Sequence, residues 1–242
     1  MNRTNVSVAA AALLLGLAAS AFAQCGASSA SQTAAAATGA QVVVLETTQG
    51  RIVIQLDEKH APKTCANFKK LVKQGFYNGT YFHRVIANFM IQGGDPNTKN
   101  AQPGDDGLGG PGYTIPAEIG LPHVRGAVAT ARLGDAQNPT KASSGSQFFI
   151  DLAKLSSLDQ GGYTVFGQVI SGMETVDKIA KFASDPTLPT SAGGGKNPAK
   201  KAMITKATFE PLASDTKPPP SPAMTAPSPS TSPAQPADTT QH

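Results

Sequence analysis

The sequence predicts one mainly β domain, a barrel or sandwich rather than a parallel α/β sheet, and three observations carry that prediction. About eight short apolar or alternating runs are separated by turn residues, and only two stretches show helical spacing. Of the 14 Phe and Tyr residues, Phe22 alone lies outside the block from Val42 to Leu212. The core therefore has one location, in roughly 170 residues, enough to bury it without disulfide support.

The elements follow in chain order. Val42–Thr47 is apolar and β-branched, Arg51–Leu56 alternates with period two, and Thr48-Gln49-Gly50 between them makes the pair a hairpin. A helix is expected over Pro62–Gln74, because Ala61, Cys65, Phe68 and Val72 recur at helical spacing, Pro62 suits its first turn and Gly75 its stop. Tyr81–Ile86 and Phe89–Gln92 read as strands, and Gly93-Gly94-Asp95-Pro96 must turn. Gly126–Ala131, Gln147–Leu152, Tyr163–Val169 and Met203–Glu210 are further strands, and Met173–Lys181 is a short second helix. No internal repeat is visible.

The ends differ in kind. Residues 1–23 carry one cation, Arg3, then an apolar run over Val6–Ala19 and the small-residue signal Ala21-Phe22-Ala23. This predicts an export signal cleaved after Ala23, too short in its apolar part to be a spanning helix. Cys25 admits a lipid-modified N-terminus, but Gln24 stands where such a signal has a small residue. Residues 24–40 read as a low-complexity tether, 41–212 as the folded domain, and 213–242, with 8 prolines in 30 residues, as a disordered Pro/Ser/Thr-rich tail. An exported protein in a periplasm is the expectation, with secretion or lipid anchoring as the alternatives and no stable membrane insertion once the signal is removed. The second cysteine, Cys65, reads as a small buried apolar residue, and a Cys25–Cys65 bridge is not expected.

Most chemistry-bearing motifs fail. The net charge of +4 is scattered, with no cationic run longer than two residues, so nucleic acid is not the expected partner. Gly107-Leu-Gly109-Gly-Pro-Gly112 matches G-x-G-x-x-G by letter, yet it contains Pro111 and lies between no strand and helix. His60, His83, His123 and His242 share no metal-ligand spacing, and G-x-S-x-G is absent. Neither a nucleophile nor a metal nor a phosphate site is supported.

Three stretches remain: Phe82 to Asp95, Ser144 to Ile150 and Tyr163 to Val169. Strand alternation places Phe82, Arg84 and Ile86 on one face with His83 and Val85 on the other; Met90 and Gln92 share a face, with Phe89 opposite. On pattern alone, Arg84 fits either a cation on the solvent face or a donor projecting over an apolar hollow.

Those stretches carry a resemblance. Phe82-His83-Arg84, Phe89-Met90-Ile91-Gln92-Gly93-Gly94-Asp95, Gly145-Ser146-Gln147-Phe148-Phe149 and Phe166-Gly167-Gln168-Val169 resemble, in order, the cyclophilin-type peptidyl-prolyl cis-trans isomerases. The similarity runs from about Val42 to Phe209 and includes the helix opening Ala61-Pro62-Lys63-Thr64. It implies a closed eight-stranded antiparallel barrel capped by two helices, with the groove on its outer surface. It also implies a prolyl isomerase without cofactor, a monomer with proline-containing polypeptides as substrates; together with the export signal, this predicts that it serves the folding of exported proteins. A non-catalytic proline-peptide-binding or chaperone module using the same groove is the alternative.

Carried over by position, the resemblance makes Arg84 the catalytic arginine and Gln92 the hydrogen-bonding glutamine. Phe89, Met90, Phe149 and Leu158 become the proline pocket; Gln147, Ala131, Arg132 and Tyr163 line the rest of the groove. His83 is expected to be buried and hydrogen-bonded. The chain departs from the family at Ser157, where many eukaryotic members have Trp, which implies weak cyclosporin inhibition; at Tyr163, where histidine is frequent; and at Arg132, where asparagine is common. Arg132 raises the expectation of a preference for acidic residues beside the proline.

Overall fold

The computed structural model describes residues 41–100 and 102–212. The expected signal, the tether with Cys25, and the tail lie outside the described residues.

The first hairpin forms as expected. β1 (Gln41–Thr47) and β2 (Gly50–Leu56) pair in antiparallel register, Thr47 opposite Gly50, so that Thr48 and Gln49 alone turn the chain. α1 (Pro62–Lys73) follows, burying Cys65, Phe68, Leu71 and Val72, and gives way to Gly75 at φ +66°, a left-handed position that glycine occupies without strain. β3 (Arg84–Ile86) and β4 (Met90–Gly93) form the second hairpin, and a two-residue β5 (Thr114–Ile115) lies in the long connection after it. β6 (Ala127–Thr130), the two-residue β7 (Ser143–Ser144), β8 (Phe148–Asp151), β9 (Val165–Ser171) and β10 (Ile204–Pro211) complete the strands. α2 (Ser156–Gly161) precedes β9 and α3 (Met173–Ala180) follows it.

Eight strands make one strongly curled antiparallel sheet in the order β10-β1-β2-β9-β6-β8-β4-β3, while β5 and β7 pair as a separate ribbon. The expected full closure is not reached by strand ladders. Between β3 and β10 the seam is spanned by single backbone bonds, Phe82 N to Ala202 O at 2.9 Å and Ile204 N to Thr80 O at 2.8 Å. These two bonds flank an isolated antiparallel bridge between Tyr81 and Met203, and Tyr81 turns its own N–H away from β10 to the side-chain oxygen of Thr98 at 3.2 Å.

Side-chain alternation splits this sheet into two apolar compartments. Val128, Ile91, Phe148 and Ile150 point into the main core, joined by Phe68, Leu71 and Val72 of α1 and by Val176 and Ile179 of α3. Their neighbours Ala127, Ala129, Met90 and Phe149 point the other way into a second cluster with Leu121 and Val165. α1 and α3 are the two helices the sequence predicts. α2 is an addition, with no buried residue and one apolar side chain, Leu158, so it shows no helical periodicity to read.

Two expectations about faces are overturned. Phe82 joins Val85 in the main core instead of sharing a face with Arg84, because regular strand geometry begins only at Arg84. Phe89 packs on the second cluster, the side of Met90, rather than opposite it. Phe89 belongs to the hairpin turn, after Asn88 at φ +57°, where alternation does not apply.

Candidate active site

The second cluster is open along one edge, and the sheet register places the site there. Arg84 pairs with Gln92 across β3 and β4, and Gln92 pairs with Phe149 across β4 and β8. Antiparallel partners sit about 5 Å apart, so three residues from distant parts of the chain line up side by side. They border a hollow of about 180 Å³ lined by Arg84, Phe89, Met90, Gln92, Ala131, Arg132, Phe149, Leu158 and Tyr163. Nine of the ten residues expected to form the site meet here. The tenth, Gln147, lines an adjoining groove of about 650 Å³ that shares Gln92, Ala131 and Arg132 with the hollow.

The floor is apolar and held in place from below. Met90 and Phe149 are buried, and the Phe149 ring meets Tyr163 edge-on at 5.8 Å between centroids. Behind Phe149 the His123 ring lies parallel at 5.7 Å, and its Nδ1 is 2.8 Å from Asp151 Oδ2, both side chains fully buried. Burial raises the Asp151 carboxyl above its ordinary value, opposed by its bond to His123.

One rim is a chain of amides ending on a cation. Gly107 O and Gly109 O accept from Gln147 Nε2 at 2.9 and 2.8 Å. Gln147 Oε1 accepts from Gln92 Nε2 at 2.9 Å, and Gln92 Oε1 accepts from Arg84 Nη1 at 3.2 Å. On its other side Arg84 donates through Nε to Gly194 O at 3.0 Å and Gly193 O at 3.2 Å, and through Nη2 to Gly193 O at 2.8 Å. Burial lowers the Arg84 guanidinium from its ordinary value, but a guanidinium stays charged in a protein.

Two further expectations change. Arg132 is not a free cation: its side chain is 5% exposed, pairs with Asp135 at 2.6 Å, donates to Gly161 O and lies over the Tyr163 ring at 4.7 Å. A charge neutralised by its own neighbour gives little reason to prefer acidic substrates. His83 is buried, but among the described residues neither ring nitrogen bonds a side chain. Of the nearby carboxylates, Asp95 accepts from the backbone N–H groups of Asn97, Gly107 and Gly109, and Asp106 accepts through Oδ2 from Tyr81 and Asn197. Burial lowers the His83 pKa, opposed by the charges of Asp95 and Asp106.

Sequence reasoning missed the carbonyls of Gly193 and Gly194 and the His123–Asp151 pair. Backbone acceptors leave no residue-type signal beyond the run of three glycines. His123 and Asp151 lie 28 residues apart with no motif joining them.

Comparison with known proteins identifies the family. Residues 42–209 match the family model for cyclophilin type peptidyl-prolyl cis-trans isomerases. A probable peptidyl-prolyl cis-trans isomerase of Brucella suis is 44% identical over 192 residues, covering 77% of this chain and 89% of that protein. The peptidyl-prolyl cis-trans isomerase A of Dickeya dadantii is 40% identical over 158 residues, covering 64% of this chain and 78% of that one. The crystal structure of a cyclophilin type isomerase of Cryptosporidium parvum superposes with a TM-score of 0.56 at 30% identity, covering 72% of this chain and 99% of its own. A second structure of that protein, in the presence of the dipeptide Ala-Pro, gives a TM-score of 0.55 at 29% identity and covers 71% of this chain and 99% of its own.

Proposed function

The chain belongs to the cyclophilin-type peptidyl-prolyl cis-trans isomerases, and from that premise we propose that it turns X-Pro bonds in exported proteins as they fold, with Arg84 as the catalytic donor. The observation that carries the assignment of the site is the placement of Arg84 and Gln92 on one rim of a hollow floored by Met90 and Phe149.

Rotation about a peptide bond is opposed by ~18–20 kcal/mol because the nitrogen lone pair is delocalised into the carbonyl. X-Pro bonds populate both isomers yet interconvert in roughly 10–100 s. Catalysis needs a site that favours the twisted amide, whose nitrogen has its lone pair back, over either planar form. A permanently charged guanidinium beside that nitrogen supplies the donor, and each ~1.36 kcal/mol of selective stabilisation gives tenfold in rate. Phe89, Met90, Phe149 and Leu158 hold the proline ring still while Gln92 holds the carbonyl on the moving side. The Cryptosporidium parvum structure obtained in the presence of the dipeptide Ala-Pro supports a proline-containing peptide as the ligand class of this hollow.

Export rests on the sequence of residues 1–23, and a periplasm suits that signal; the alternative is a non-catalytic proline-peptide-binding or chaperone module that uses the same groove. The test is cis-to-trans exchange of an Ala-Pro-Phe peptide with the mature chain beside Arg84→Ala, with and without residues 213–242. Fast exchange that collapses in the variant and survives tail removal is expected. Undiminished exchange in Arg84→Ala overturns the assignment of the donor. The mass of the protein recovered from the periplasm of an expressing bacterium checks cleavage after Ala23.

A further inference from the structure

We propose that the glycine loop Ser191–Gly195 is a positioning element for Arg84, its backbone carbonyls fixing the guanidinium in the orientation that catalysis uses. The inference rests on the reading of Arg84 as the donor and goes beyond it, since it gives a function to a loop that contributes no side chain to the hollow.

The hydrogen bonds are the first observation. Nε is shared between two carbonyls and one Nη2 hydrogen goes to Gly193 O, while Nη1 meets Gln92. Three of the five guanidinium donors are thus spent inside the protein, leaving one hydrogen on each terminal nitrogen for substrate. The second is how the loop is fastened. Ser191 Oγ donates to the carbonyl of His83, and Val85 and Lys196 exchange backbone bonds of 2.9 Å in both directions. The loop is therefore fixed to both chain neighbours of Arg84, and Ser191 N to Gly195 O at 3.0 Å closes it.

The third observation is conformational. Gly193, Gly194 and Gly195 have φ of +78°, +84° and +85°, values that side chains disfavour. At Gly195 a Cβ would also lie 2.6 Å from Ile86 Cγ1, so contact alone demands glycine. At Gly194 nothing lies within 4 Å. Only the backbone demands glycine there, and substitution perturbs the carbonyls without a clash.

The experiment measures kcat and KM of the mature chain for Gly194→Val, Gly194→Asn and Gly79→Val, and for Gly194→Val combined with Arg84→Ala. Gly79 is the matched control, at φ +82° with nothing within 4 Å and away from the groove. A small misplacement of a reacting group costs up to about 10²-fold, so Gly194→Val is expected to lower kcat about tenfold with KM within about twofold. Asparagine tolerates left-handed backbone, so Gly194→Asn is expected to retain most of the activity. Gly79→Val leaves kcat unchanged, and Gly194→Val has no further effect once Arg84 is gone. An unchanged kcat in Gly194→Val, or an equal loss in the Arg84→Ala background, overturns the cradle while leaving Arg84 as donor. Full activity in Arg84→Ala overturns the donor assignment and the cradle with it. Should Gly194→Val fail to fold, exchange of the Arg84 Nε–H in the unmodified protein decides: protection relative to Arg51 supports the cradle, and equal exchange overturns it.

Discussion

Arg84 combines a charge, a planar fork of donors and a fixed orientation, and only the first of these survives replacement by lysine. Lysine is a point charge on a flexible stem, so it cannot face Gly193 O, Gly194 O and Gln92 at once. Arg84→Lys is expected to fold as the parent does and to lose about 10²–10³-fold in kcat, the usual cost of one preorganised transition-state donor; circular dichroism and peptide exchange on the same sample check it. His83, its chain neighbour, sets a pH limit instead. Its folded pKa lies below the ordinary 6.5, so the unfolded chain takes up the proton first as pH falls. The stability held above 6.5 is then lost as pH drops toward the folded value. His83→Leu also removes two buried polar atoms that bond no side chain, and it is expected to narrow the gap in Tm between about pH 7 and about pH 5. A gap as wide as that of the parent would contradict this. The identity of Arg84 was legible in the sequence through its motif; the lack of a side-chain partner for His83 was not, because it depends on where the fold places Asp95 and Asp106.

Strands and helices were legible where their pattern is their own and illegible where a distant segment completes them. The β1–β2 hairpin and both core helices follow from alternation, helical spacing and turn residues, all local. Phe89 and Phe82 fell on the wrong faces because the alternation rule was extended past the residues that pair. α1 shows the opposite case, a local weakness repaired from afar. Its N-cap is Ala61, which makes no side-chain capping bond, and its first turn holds no acid. The carboxylate of Glu118 fills the gap, accepting from Lys63 N at 3.0 Å, Thr64 N at 2.8 Å and Thr64 Oγ1 at 2.8 Å. Losing a capping acceptor costs about 1–2 kcal/mol, more so with a charge at the positive end of the helix. Glu118→Ala is therefore expected to lower Tm by about 2–8 °C in a domain of this size, with kcat/KM unchanged. A thermal melt paired with the peptide assay tests both halves.

The curled sheet as a unit divides stability from function, because each strand through the site serves the core with one face and the groove with the other. Phe148 and Phe149 are adjacent in β8 and both are buried, yet they belong to different compartments. Phe148 sits edge-on to Phe68 at 5.6 Å, Tyr77 at 5.7 Å and Phe82 at 6.1 Å, tying α1 to the sheet. Phe149 meets Tyr163 and His123 and floors the hollow. Truncating a buried phenylalanine in a closed core costs about 3–5 kcal/mol, since the cavity left behind cannot fill. Beside an open hollow, solvent and side chains can occupy the space, and the loss falls on substrate contact instead. Phe148→Ala is thus expected to drop Tm steeply while the surviving folded fraction, assayed at low temperature, keeps its kcat/KM. Phe149→Ala is expected to melt closer to the parent and to lose at least about tenfold in kcat/KM, the equivalent of ~1.4 kcal/mol of lost transition-state grip. Melting curves and peptide exchange on both variants give the comparison. Equal Tm losses with equal activity losses would mean that the two faces of the sheet are energetically one body, and that the groove cannot be altered without altering the core.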